Sequence, residues 1–102
     1  MRDVSELIAQ YRSSLEASEP LAPPGEQSSY ARHKHELERL CALLDGKAVS
    51  AEIAAVVASE RRVFGRSFLS GEHGARVESA FHQLASTLEK LHPLASVCNN
   101  GA

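Results

Sequence analysis

The chain has no tryptophan, three phenylalanines and two tyrosines among its 102 residues. Burial therefore rests on Leu, Val, Ile and Ala, which at roughly 25 cal/mol per Å² bring less per residue than large aromatics. A chain of this length has room for one domain and buries about 65% of the surface its unfolded form exposes. The expectation is a thin core with apolar surface left for a partner, and a two-domain enzyme is excluded. Cysteine is scarce. Cys41 and Cys98 do not make the dense disulfide framework of small secreted domains. Neither has a second cysteine within four residues, as a structural zinc site needs. Two free thiols are expected.

Neither sign of charge dominates. Eleven Lys and Arg against 13 Asp and Glu leave a net charge of -2, which speaks against coating nucleic acid or an anionic membrane through bulk charge. Long apolar runs are missing too. The longest stretch without a polar residue is 53–58, against roughly 20 residues for a membrane span. Asp3 falls where a signal peptide needs a clean positive region, so a cytoplasmic location is expected.

What the chain does contain is helical periodicity. Leu7, Ile8, Tyr11 and Leu15 recur at i, i+3, i+4 and i+7 spacings, with Asp3 as N-cap and Glu6 in the first turn, predicting a helix over 4–17. Pro20, Pro23, Pro24 and Gly25 make 18–28 a linker. Tyr30, Leu37, Leu40, Cys41 and Leu44 predict a second helix over 29–45, closed by Gly46 in the left-handed region. Ile53, Val56, Val57, Val63, Phe64 and Phe68 predict a third over 50–69, which Gly65 weakens. Val77, Ala80, Phe81, Leu84, Leu88 and Leu91 predict a fourth over 71–92, capped by Ser70 and ended by Pro93. Residues 93–102 form a tail, anchored at most by Val97.

No run alternates with the period of two that a strand requires. The fold class is therefore all-α, a small bundle of about four helices. Short connections force helices two, three and four antiparallel, and helix one packs on them or reaches across to a second copy. Scarcity of large apolar side chains makes a homodimer the expected assembly.

The polar residues on apolar stripes are the candidate sites. His33 lies three residues after Tyr30 and four before Leu37; Glu60 lies three after Val57 and four before Phe64. His33 is read as a satisfied core or interface histidine, or as a ligand or pH switch, and Glu60 as lying at the edge of its stripe or paired with an arginine such as Arg39, or as a partner-facing or catalytic carboxylate. His35 points about 200° away from His33, so the two cannot grip one ion. His82, four residues after Glu78, reads as a surface pair, and no second Glu-x-x-His unit supports a metal centre. His92 caps the last helix. With no nucleophile motif and only two aspartates, both at helix ends, no enzymatic activity, cofactor or metal is expected.

Arg61, Arg62 and Arg66 form the only basic cluster, with Arg76 nearby in sequence. A helix-turn-helix placed on Ala54 fails because Ala58 stands where a turn glycine belongs. The expected function is a non-enzymatic protein–protein interaction module: a regulator, adaptor or sequestering subunit acting through an apolar helical face. Its partner-facing residues would be Ile8, Tyr11 and Leu15, or Phe64 and Phe68 with Arg62 and Arg66. The competing reading is a dimeric DNA-binding regulator using Arg61, Arg62, Arg66 and Arg76.

Overall fold

The computed structural model describes residues 3–46, 49–66 and 69–92. Four helices follow one another: α1 (Val4–Ser18), α2 (Gln27–Asp45), α3 (Ser50–Arg66) and α4 (Gly71–Leu91). There is no strand among the described residues. The proline segment is not an open linker. It winds into two 3₁₀ turns, Glu19–Leu21 and Pro24–Glu26, each with proline at an N-terminal position where its missing N–H is not needed.

Local chemistry sets the helix ends. The Asp3 carboxylate accepts the backbone N–H of Glu6 at 2.9 Å and so caps α1. Gly46 ends α2 with φ of -93°, outside the left-handed region expected of it. Gly71, at the start of α4, is the glycine with positive φ among the described residues, at 76°. The third helix ends at Arg66, through Gly65 and short of residue 69. Leu69 is non-helical and 3% exposed, so it packs as part of the connection to α4.

Ser70 does not cap α4 with its side chain. Its backbone N–H and hydroxyl instead donate to the Glu26 carboxylate, at 3.0 and 2.7 Å, tying the start of α4 to the start of α2. The hydroxyl turns toward the Glu26 carboxylate, and in that position its oxygen accepts no amide of the first turn.

The pairs between helices fix an up-down-up-down bundle. Arg12 on α1 reaches Glu38 on α2, His33 on α2 meets Glu60 on α3, and Arg61 on α3 holds Glu89 on α4. Ser18 at the end of α1 donates to the carbonyl of His73 at the start of α4, and Ser50 at the start of α3 meets His92 just beyond α4 at 2.8 Å. The closest helix pairing is α1 with α4, so the first helix belongs to the bundle of its own chain. Buried Ala80 and Ala85 lie on the α4 stripe and let a neighbouring helix approach.

Gly74 reports on that tightness. It is buried in the second turn of α4, and a Cβ there would overlap the Leu69 carbonyl and side chain. Backbone cannot swing aside as a flexible side chain does. Gly74→Ala should therefore lower stability by about 1–3 kcal/mol or more, read by urea denaturation. A variant as stable as the parent would mean that the connection before α4 is not held against the helix.

Candidate functional site

The two polar residues on apolar stripes find each other. His33 Nδ1 lies 3.1 Å from Glu60 Oε2, with the side chains 1% and 8% exposed. A carboxylate accepts, so Nδ1 is the donating nitrogen and holds the ring in that tautomer. Two further atoms complete a polar centre. Nε2 of His33 and the hydroxyl of Tyr11 are buried with no hydrogen-bond partner among the described residues.

Aromatic rings enclose the pair. The His33 ring stacks on Phe64 with centroids 4.2 Å apart and planes 13° from parallel, and Phe64 stacks on Phe81 at 4.4 Å and 20°. Tyr11 packs tilted against Phe64 and Phe81, at 6.5 and 5.7 Å. The centre thus draws one aromatic side chain from each of α1, α3 and α4 onto an imidazole from α2.

Glu60 was expected beside Arg39, but Arg39 bonds Glu36 on its own helix at 3.4 Å. The register explains the difference. His33 lies twelve residues before the end of α2 at Asp45, and Glu60 ten residues after the start of α3 at Ser50. At 1.5 Å per residue these are nearly equal depths in two antiparallel helices, whereas Arg39 is only six residues from that end. Equal distance from a short connection was the sequence signal for this pair.

Beside Tyr11 and Glu60 lies a cavity of about 10 Å³, closed mostly by Leu37, Leu40, Val56, Val57, Phe81 and Leu84. It has room for a single water molecule and none for an organic substrate. Among the described residues no three His, Cys, Asp or Glu side chains are placed to hold a metal ion.

The structure revises the partner-facing residues. Tyr11, Leu15 and Phe64 are 2%, 0% and 5% exposed. They face the interior because the four stripes close on one another within the chain. Ile8 is half-buried in a groove between α1 and α2 with Cys41 and Leu44. Phe68, Cys98 and the tail lie outside the described residues. Among the described residues, exposed large apolar side chains are scattered at Leu21, Val49 and Leu91 and are not gathered in a stripe.

The arginines divide in two. Arg61 grips Glu89 through Nε and Nη2, the latter at 3.0 Å, and also reaches His82 and Ser86. It is thereby removed from the basic patch. Arg62, Arg66 and Arg76 are exposed, with no ion-pair partner among the described residues. Arg32, not singled out from the sequence, joins them on the same terms. Arg32 and Arg39 are two turns apart on one side of α2, as are Ser59 and Arg66 on α3. Arg39, Ala55 and Ser59 line the groove between these helices, and the His33–Glu60 register carries Arg32 toward the Arg62 and Arg66 end. Sequence counting missed Arg32 because it stands alone in α2. His82 sits 3.8 Å from Glu78 as an exposed pair.

Burial raises the Tyr11 hydroxyl above its ordinary 10.0, the Glu60 charge adding to it, and burial raises Tyr30 likewise, followed by Glu26 and opposed by the Ser18 hydrogen bond. These are the two tyrosines of the chain. Below pH 10 both are protonated whether folded or not, so their contribution is complete. As pH climbs past that value only the unfolded chain releases protons, and stability falls by up to about 1.4 kcal/mol per pH unit for each. Tyrosinate absorbance should therefore rise together with the loss of helical circular dichroism. Titration near pH 10 in a chain still helical would show that the hydroxyls are not enclosed.

No protein-family model matches the chain, and neither a curated protein nor a solved structure matches it.

Proposed function

We propose that this small helical bundle is a non-enzymatic interaction module, a regulator, adaptor or sequestering subunit, that engages an acidic segment of another protein through the outer face of α2 and α3. The observation that supports it most is the division of the arginines. Arg12, Arg39 and Arg61 are bonded to carboxylates, while Arg32, Arg62 and Arg66 stand exposed on adjoining helices with no ion-pair partner among the described residues. Guanidinium forks held on rigid helices suit carboxylates, which they bind bidentately. With the apolar stripes closed inside, charge is what this surface has to offer a partner.

Among the described residues no apolar stripe is left exposed to favour a second copy over another partner. Cys41 is a free thiol, which suits the reducing cytoplasm. No helix among the described residues is long and apolar enough to cross a membrane.

Affinity capture from the native cell tests the reading, comparing the parent chain with R62E/R66E and with a charge reversal elsewhere, E16K. A protein bound by the parent and by E16K, lost from R62E/R66E and weakened by added salt, would support it. Capture that ignores R62E/R66E would contradict it. Binding to duplex DNA at 50 mM salt, falling steeply at higher salt, would favour the nucleic-acid reading instead.

A further inference from the structure

Between α2 and α3 runs an open groove of about 240 Å³, lined by Arg39 and Leu43 from α2 and by Glu52, Ala55, Val56 and Ser59 from α3. Val56 is buried and Leu43 half-buried, which makes the floor apolar. Ala55 and Ser59 are exposed but short, so α3 raises no wall over that floor. Beyond them the same side of α3 turns basic. Ala55, Ser59, Arg62 and Arg66 follow one another at four, three and four residues, within about 60° around the helix, and on α2 Arg32, Arg39 and Leu43 keep within a similar sector. The His33–Glu60 contact sets the slide of the two helices, placing Arg39 level with Ala55 and Arg32 level with Arg62. Going along the groove, Arg39 comes first, Arg32 and Arg62 about 11 Å further, and Arg66 about 17 Å from the start. Arg39 bonds Glu36 but keeps its side chain 60% exposed. Glu52 is exposed at the opposite end from Arg66 and bounds the basic stretch.

We propose that the occupant of this groove is an acidic amphipathic α-helix of the partner protein, an assignment that rests on the acidic-partner reading above and adds the partner's conformation. Its small or apolar side chains cover Leu43, Ala55 and Val56, and its carboxylates, seven and four residues apart, meet Arg39, the Arg32 and Arg62 level, and Arg66. A groove walled by two helices has its backbone groups bonded within those helices, so it offers no ladder to an extended segment. The occupant must satisfy its own amides, as a helix does. Cations recurring after seven and four residues of rise also match one side of a helix laid along them. Charge complementarity selects acids along the whole line except beside Glu52.

Binding of synthetic peptides to the full chain, read by fluorescence anisotropy at about 50 mM salt, tests this. The probe is an alanine-rich peptide of about 18 residues with glutamates at i, i+4, i+7 and i+11, a set that meets the arginines in either orientation. In the control peptide two central alanines become proline, which keeps the charge and breaks the helix. The helical peptide should bind at least tenfold more tightly than the proline peptide. Ser59→Trp fills the groove and leaves every arginine in place; it should weaken the helical peptide tenfold or more while thermal unfolding of the bundle stays as in the parent. Equal binding of the two peptides overturns the helical occupant, and so does undiminished binding by S59W. Where either happens and R62E/R66E still abolishes binding, the acidic-partner reading stands without the helix. Where R62E/R66E binds both peptides as the parent does, both readings fall. Binding of neither peptide overturns the helical occupant and leaves the acidic-partner reading to the capture experiment. Should S59W fail to fold, the contrast between the two peptides on the parent chain decides.

Discussion

Truncating His33 to alanine is expected to destabilise the bundle by about 3–5 kcal/mol, a large share of the 5–15 kcal/mol typical of a folded domain. The reason is the residue left behind. Glu60 is 8% exposed and His33 Nδ1 is its hydrogen-bond partner, so the variant keeps a carboxylate in an apolar interior with nothing to stabilise it. The loss of the imidazole's stacking on Phe64 adds to the deficit. Replacing both residues together should behave differently. His33→Leu with Glu60→Met removes two polar groups at once, and apolar replacements of buried pairs are often neutral or stabilising. Urea denaturation of His33→Leu, Glu60→Met and the double variant measures this directly. Single losses that simply add in the double variant would mean that the two side chains do not interact.

Phe64→Ala should cost about 3–5 kcal/mol. Phe64 is 5% exposed and stands between two rings, His33 at 4.2 Å and Phe81 at 4.4 Å. Its removal opens a hole beside the polar pair, where the surroundings cannot collapse without parting that hydrogen bond. The result separates two views of the same residue. A partner-facing phenylalanine would lose binding on truncation and change stability by no more than about 0.5 kcal/mol. The charge reversals at Arg62 and Arg66, both exposed, should show the opposite pattern, with little effect on thermal stability.

Much of the bundle was legible in the spacing of apolar residues. The stripe Val77, Ala80, Phe81, Leu84 and Leu88 of α4 is buried throughout, because a 3.6-residue period admits few alternative faces. The same stripe also shows where periodicity stops informing. Leu91 continues it but is 58% exposed, since it lies in the last turn, at the end of the bundle. His33 and Glu60 were each recognisable as polar intrusions, yet their partnership depends on how α2 slides along α3, which no single-helix pattern encodes. Tyr11 and Leu15 were assigned outward on the premise that few large side chains cannot fill a core. The premise overlooked the small residues Ala80 and Ala85, which bring helices close enough that modest side chains suffice.

The central claim is that four amphipathic stripes close on one another inside a single chain, with α1 as a full member. Amide hydrogen exchange of the dilute protein tests it most directly. The account predicts that amides in the middle of α1, around Tyr11, are protected to a similar degree as those around Leu84 in α4, and equally so at every protein concentration. Rapid exchange of α1 on dilution, with α2 to α4 still protected, would contradict it.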